Sequence, residues 1–313
     1  MKLSQLFNLK SIEAFCDSAN ARGFTDSKPG IILGRMLTAV DPTIYEQKFP
    51  ELAFMNAGFE VDNSGGYADY IQSLQVRVEG SFAEQDDTSG AKGMISLAGK
   101  DSILPVTGWS AHSKWSDDDI GRAELQGINL PQRLLEAHNE VYQQAIDKMI
   151  GDVALDHNKW GAADNTNHSA KTGKDLYDAF AAALSAQWSA VNNIPQYKAN
   201  LIITSAKVYN RLATSLLSNP GNNASSPLAT LKANFPGLEI MISALCDGIG
   251  SNSKDVALLV STDGKAMKIR LPVPLTIGEI VKLNAFEFQV DSKYRIAGLD
   301  ILQKNAGYML RQV

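Results

Sequence analysis

Apolar side chains recur at helical spacing along residues 131–154, PQRLLEAHNEVYQQAIDKMIGDVA, at Leu134, Leu135, Val141, Tyr142, Ala145, Ile146, Met149, Ile150 and Val153. This spacing predicts one long amphipathic helix buried along a single stripe. Asn129 is placed to cap it, Pro131 fits a first turn where its missing N–H costs nothing, and Gly151 is expected to weaken the last turn. At ~1.5 Å per residue such a helix is roughly 35 Å long, a spine across most of a domain.

The pattern before the spine has a period of two. Within Tyr67–Glu79 the apolar positions Ile71, Leu74, Val76 and Val78 alternate with polar ones and predict a strand. A polar stretch with Glu84, Asp86 and Asp87 has nothing to bury, after which Met94, Ile95, Leu97 and residues 103–106 restore strand character. A long hairpin with a mobile tip follows from this order. Trp109, Ala111, Ser113 and Trp115 alternate with Ser110, His112 and Lys114, so a further strand carries both tryptophans on one face. The acidic run Asp117, Asp118 and Asp119 could hold a metal, but it lacks a fixed ligand spacing and suits the first turn of a helix better.

After the spine, residues 156–172 are a polar connector, and the chain then resumes as what looks like a separate unit. Helices are expected over 175–191, 205–217 and 227–235, and strands over 201–204, 239–242 and 256–260. A tight turn is expected at 262–265, and 267–277 is expected to form one strand despite Pro272 and Pro274. Residues 285–294 alternate as a long strand, and 297–302 with 308–311 close the chain. The fold class is α+β.

Composition narrows the function. A 44% hydrophobic content over 313 residues supports real cores. A net charge of −5 gives no overall basic character for wrapping duplex DNA. Cys16 and Cys246 are far apart and follow no metal-ligand spacing, which suits a reducing compartment. The N-terminus lacks the apolar core of a signal peptide, and no apolar run approaches the ~18 residues of a membrane span, so cytosolic synthesis and residence are expected. Glycines and prolines punctuate residues 1–59, yet Tyr45, Phe49 and other apolar groups are plentiful there. Such an arm is expected to lie on a neighbouring subunit or to fold back on its own domain.

The search for catalytic chemistry finds no motif. His112, His138, His157 and His168 include no HExxH and no pair at i, i+4, and the chain lacks GxSxG, GxxxxGK[ST] and GxGxxG motifs. Gly248-Ile249-Gly250 could face an anion, but a loop flanked by Asn252 and Ser253 needs no ligand to explain it. The expectation is a protein without enzymatic activity, metal or cofactor.

The segment 283–313, LNAFEFQVDSKYRIAGLDILQKNAGYMLRQV, resembles the closing segment of tailed-phage major capsid proteins of the Hong Kong 97 type, with Asp291, Tyr294, Arg295, Ile296 and Ala297 at the matching positions. The stretch from Gly108 to Gly161 is also similar to a capsid subfamily with a Trp, then Glu-Leu, a Gly and a helix ending near Gly. The order of arm, hairpin, strand, spine helix and closing α/β unit agrees with that family.

The resemblance implies a Hong Kong 97-type fold divided as 1–63 N-terminal arm, 64–106 extended loop, 107–171 peripheral domain with spine helix 131–154, 172–282 axial domain, 283–296 strand returning to the peripheral domain, and 297–313 C-terminal axial segment. It implies a structural shell of hexamers and pentamers around double-stranded DNA, located in the virion capsid and assembled in host cytoplasm. Homo-oligomerisation is implied, with scaffolding, portal and decoration proteins as further partners, and with neither sequence-specific DNA binding nor a membrane. Met94, Ile95, Leu97, Tyr45, Phe49 and Arg295 are the expected intersubunit residues. Family members often carry a cleaved N-terminal scaffolding segment, which the arm here is too short to hold. Lys92 and Lys100 lie where some members crosslink, although an exposed loop lysine needs no such role. An encapsulin-like nanocompartment shell and a cytosolic hydrolase are the alternatives.

Overall fold

The computed structural model describes residues 51–81, 94–125, 127–168, 172–217, 225–250 and 253–313. The expected N-terminal arm lies outside these residues up to position 50, with Tyr45 and Phe49, as does the hairpin tip with Lys92, whereas its last part, 51–63, buries Phe54 and Phe59 in the core. In chain order the regular elements are β1 (Glu60–Asp62), β2 (Tyr70–Gly80), β3 (Ile95–Pro105), β4 (Thr107–Ser116), α1 (Asp117–Glu124) and α2 (Leu130–Ala154). They continue as β5 (Ala162–Asp164), α3 (Gly173–Ala190), β6 (Leu201–Thr204), α4 (Ala206–Thr214), α5 (Pro227–Asn234), β7 (Glu239–Ile242), β8 (Ala257–Val260) and β9 (Met267–Arg270). The last are β10 (Val273–Ile277), β11 (Val281–Lys282), β12 (Glu287–Ile296), β13 (Gly298–Ile301) and β14 (Gly307–Leu310). The result is α+β, as expected.

Local chemistry accounts for the helix starts. The Asn129 side chain accepts from the Gln132 N–H, and Pro131 occupies the first turn of α2. At α1, Ser116 and Asp119 form a reciprocal capping box that satisfies two otherwise orphaned donors. These bonds from Ser116 hold the Asp119 carboxyl below its usual range. The acidic run is therefore a helix terminus. Thr172 and Asp175 repeat the same device at α3.

α2 continues through Gly151 to Ala154. The glycine is buried within the helix, where a Cβ would fall 2.6 Å from Cδ1 of Leu245 and 3.1 Å from Cδ2 of Phe54. The absent side chain lets α2 approach its neighbours closely.

A five-stranded sheet, in the order β5-β14-β8-β6-β7, organises the core. Both faces of β6 and β8 are buried, which explains their unbroken apolar runs. One face presents Ile202, Ala257 and Leu259 to Phe180 and Leu184 of α3, Val208 and Leu212 of α4, and Leu231 of α5. The other presents Leu201, Ile203, Leu258 and Val260 to the second half of α2, through Ile146, Ile150 and Ala154. The spine and the unit that follows it thus share one core. The expectation of a separate unit fails because the lower part of the spine stripe meets the sheet directly.

Two further expectations are corrected. Within the supposed polar connector, residues 162–164 form β5, which pairs in parallel with β14. The stretch 267–277 is two strands in two sheets: β9 lies between β1 and β13, whereas β10 pairs with β12. The break falls at Leu271, whose N–H turns to the Asp62 carbonyl at 2.9 Å, and at Pro272, which has no N–H to continue a ladder. Pro274 is accommodated because β10 is an edge strand with irregular register.

β12 pairs along its whole length with β4, from Glu287 opposite Ser116 to Ile296 opposite Thr107, and carries β10 and β11 on its other edge. β2 and β3 form a two-stranded ribbon.

Candidate assembly surface

The ribbon's register sorts its side chains into two faces, because directly opposed residues point the same way. One face holds the pairs Gln72–Ile103, Leu74–Asp101, Val76–Gly99, Val78–Leu97 and Gly80–Ile95. The other begins with Ile71–Leu104, Ser73–Ser102 and Gln75–Lys100. Ile71 therefore points opposite to Leu74, Val76 and Val78, although the sequence pattern grouped all four.

The first face is apolar and lies in solvent. Leu74 is 66% exposed, Val76 57%, Val78 69%, Ile95 58% and Leu97 71%, with Met94 beside them at 79%. Two of the expected site residues, Ile95 and Leu97, thus gather at the outer end of one apolar stripe, while Met94 precedes the strand and is exposed outside the paired register. Leu74, Val76 and Val78 complete it. The strand pattern marked them, but only the register shows that they belong to this stripe.

The opposite face is held at the base of the ribbon by polar bonds. Ser73 Oγ donates to Asp300 Oδ2 at 2.7 Å and accepts from Arg270 Nη2 at 2.9 Å. Arg270 Nε donates to Asp300 Oδ2 at 3.1 Å, and its Nη1 pairs with Asp62 Oδ2. Gln75 Nε2 donates to the Leu302 carbonyl. Bonds from Ser64, then the nearby Arg270 guanidinium, hold the Asp62 carboxyl below its usual range against the effect of burial. Sequence reasoning missed this cluster, whose four charged or hydroxyl groups come from β1, β2, β9 and β13.

Arg295 has a partner in its own chain. Its Nη2 donates to Asp69 Oδ1 at 3.0 Å, and its guanidinium carbon is 5.8 Å from the Tyr67 ring centre. It braces the chain entering β2. Tyr45 and Phe49 lie outside the described residues.

A groove of about 410 Å³ runs between the first half of α2 and the β4–β12 sheet, lined by Trp109, Ala111, Val141, Tyr142, Leu275 and Tyr294. Tyr142 and Tyr294 meet edge to face, ring centres 5.0 Å apart, and burial pushes both phenols up. At its floor His138 is buried, with Nε2 2.8 Å from Ser113 Oγ and Nδ1 2.7 Å from Ser292 Oγ. Both ring nitrogens are taken by hydroxyls, which ties the helix to two strands of the sheet. In a serine hydrolase the second nitrogen is oriented by a carboxylate; here Ser292 fills that position.

Other titratable groups are structural in their contacts. Burial pushes the Asp147 carboxyl up even though it accepts from the Met55 N–H at 2.9 Å. His168 is buried with Nε2 3.1 Å from Asp164 Oδ2. Burial pushes the Cys246 thiol up to about 12, which makes it unreactive. Among the described residues no group of three or more His, Cys, Asp or Glu could hold a metal ion, and no helix is long and apolar enough to cross a membrane.

The fold and the exposed stripe define a class of proteins that function as copies packed against one another, and solved structures identify it. The chain is similar to the capsid of Myoviridae phage XM1, with 31% identity, a TM-score of 0.78, and coverage of 91% of this chain and 100% of that one. The same fold occurs in Mycobacterium phage Che8, at 15% identity, TM-score 0.63 and coverage of 92% and 98%. It occurs also in the capsid of cyanophage P-SCSP1u, at 11% identity, TM-score 0.65 and coverage of 89% and 94%. No protein-family model matches the sequence, and no curated protein does. The chain belongs to the Hong Kong 97-type capsid proteins of tailed phages.

Proposed function

We propose that this protein is a major capsid protein that self-assembles into an icosahedral shell of hexamers and pentamers enclosing a double-stranded DNA genome. Its place is the virion, with assembly in the host cytoplasm, and its role is structural rather than enzymatic. Residues 64–106 act as the extended loop, 107–171 with 283–296 as the peripheral domain, and 172–282 with 297–313 as the axial domain, with 1–63 as the arm. Scaffolding, portal and decoration proteins are its further partners.

The observation that carries this reading is the apolar stripe on the ribbon. Leu74, Val76, Val78, Ile95 and Leu97 face water on an element with no second layer over that face among the described residues, and contiguous exposed apolar surface of this kind marks an interaction site. A neighbouring copy covers the stripe, and closed symmetry repeats that contact in every subunit. The 31% identity to a phage capsid over 91% of the chain supports the same assignment. A net charge of −5 suits a shell that holds DNA without gripping it.

Negative-stain microscopy of the expressed protein tests the proposal, and closed shells are expected. Monomers or dimers alone, even with the phage's scaffolding protein co-expressed, overturn it. The double variant Leu74→Glu/Val78→Glu should stay soluble and folded but fail to form particles.

A further inference from the structure

Burial along β2 changes abruptly. Ile71 and Ser73 are buried and Gln75 half-buried, whereas Val76, Val78, Glu79 and Gly80 are exposed. On β3 the pattern matches, with Ser102 and Leu104 half-buried and Ile95, Ser96 and Leu97 exposed. At ~3.3 Å per residue the docked stretch from 71 to 75 covers roughly 13 Å of a ribbon roughly 36 Å long. Beyond Gln75 and its partner, the side chains described on either face are exposed. Mechanically the ribbon is a beam fixed at one end.

The fixed end is specific. Three successive residues on one face, Ile71, Ser73 and Gln75, reach the body through an apolar contact, a pair of directional hydrogen bonds and a bond to the Leu302 carbonyl. Among the described residues Ser73 is the ribbon's only member of the charged cluster, and its hydroxyl is used in both directions at once, donating to Asp300 and accepting from Arg270. Rotating the ribbon about its base breaks both bonds together. Asp300 is 1% exposed, and Arg270 faces two carboxylates, Asp62 and Asp300. Loss of Ser73 therefore leaves a buried carboxylate oxygen and a guanidinium nitrogen short of a partner, a cost that keeps the serine seated.

We propose that Ser73, held by Arg270 and Asp300, is the positioning residue that sets the direction in which the ribbon leaves the body. Arg270, paired with Asp62 and Asp300 independently of the ribbon, is the rigid socket. Small changes at the socket are magnified towards Leu97 and most of all Ile95, which pairs with Gly80 and lies more than twice as far along the ribbon as the docked stretch extends. The consequence that this direction sets how copies meet rests on the capsid assignment, whereas the clamp itself does not.

The test separates the two. In a Cys16→Ser background, spin labels at Ser96→Cys on the ribbon and Lys232→Cys on α5, diluted into excess unlabelled full-length chain, report one interspin distance per subunit. A single narrow distribution is expected for the parent. Ser73→Ala combined with Gln75→Ala should roughly double its width while the body still unfolds in a single cooperative transition. Ser73→Thr, which keeps the hydroxyl, should stay close to the parental width. An unchanged width in the double alanine variant overturns the clamp, and so does a width in Ser73→Thr equal to that of the double alanine variant. Particle formation is read separately: a broadened distribution in a protein that never forms shells supports the clamp while the capsid assignment fails.

Discussion

His138 Nδ1 lies 2.7 Å from Ser292 Oγ, joining the middle of the spine helix to a strand 154 residues further along the chain. Its Nε2 meets Ser113 on the adjacent strand. Replacing His138 with Ala removes both bonds and leaves hydroxyls facing a cavity, so stability should fall by about 1–3 kcal/mol in urea unfolding. The triple variant His138→Leu/Ser113→Ala/Ser292→Ala should recover most of that loss, because no buried polar group is left unpaired. No recovery would show that ring packing, rather than the hydrogen bonds, supplies the contribution.

Position 307 should not accept a side chain. A Cβ there would lie 2.1 Å from Cε3 of Trp160, whose indole N–H donates to the Ala154 carbonyl at 2.7 Å. Gly307→Ala must displace the indole, at a cost of about 1–3 kcal/mol for overpacking. A lowered melting temperature with red-shifted tryptophan emission is expected. Unchanged emission would mean that the strand moves instead of the ring.

Val141 and Ile146 share one helix but should respond oppositely to a charge. Val141 is 57% exposed and Ile146 is 3% exposed. Val141→Asp should leave a soluble, folded subunit, while Ile146→Asp places a carboxylate in the core and should give insoluble protein. A soluble Ile146→Asp chain that melts like the parent would show that the helix is turned otherwise.

Two carboxylates give acid responses of opposite sign. The Asp62 carboxyl is held low, by Ser64 first and then by Arg270, so its contribution is complete above the unfolded value of about 3.9 and is lost as pH falls through the lower folded value. Asp147 is pushed up by burial, so its contribution is present below about pH 3.9 and lost as pH rises through the higher folded value. Asp62→Asn should flatten the loss of stability below about pH 4, measured by thermal melts across pH. An unaltered acid slope would contradict this assignment.

Legibility in the sequence followed the range of the interactions. The spine was expected over 131–154 and runs from Leu130 to Ala154, because capping by Asn129 and the apolar period are local signals. Its stripe was less well defined: Val141 fits the period yet faces out, since the first half of the helix borders an open groove and only the second half meets the sheet. β5 was missed because Ala162–Asp164 becomes a strand only through Tyr308–Leu310, far along the chain. The apolar residues at the outer end of the ribbon were legible one by one, but their union into one face required the register. The Arg270 cluster left no local trace, as residues 62, 73, 270 and 300 meet only after two sheets are in place.

The last strand, β14, lies inside the five-stranded sheet, with β5 on one side and β8 on the other. Until residues 307–310 take their place this slot stands open, and β8 and β5 keep unpaired edges along it. Completion of the central layer, and of the surface that α2 presses against, therefore waits for residues 307–310 to pair. The order in which the core closes is thus set by its longest-range pairing: no helix packed on this sheet has its complete partner surface before the slot is filled.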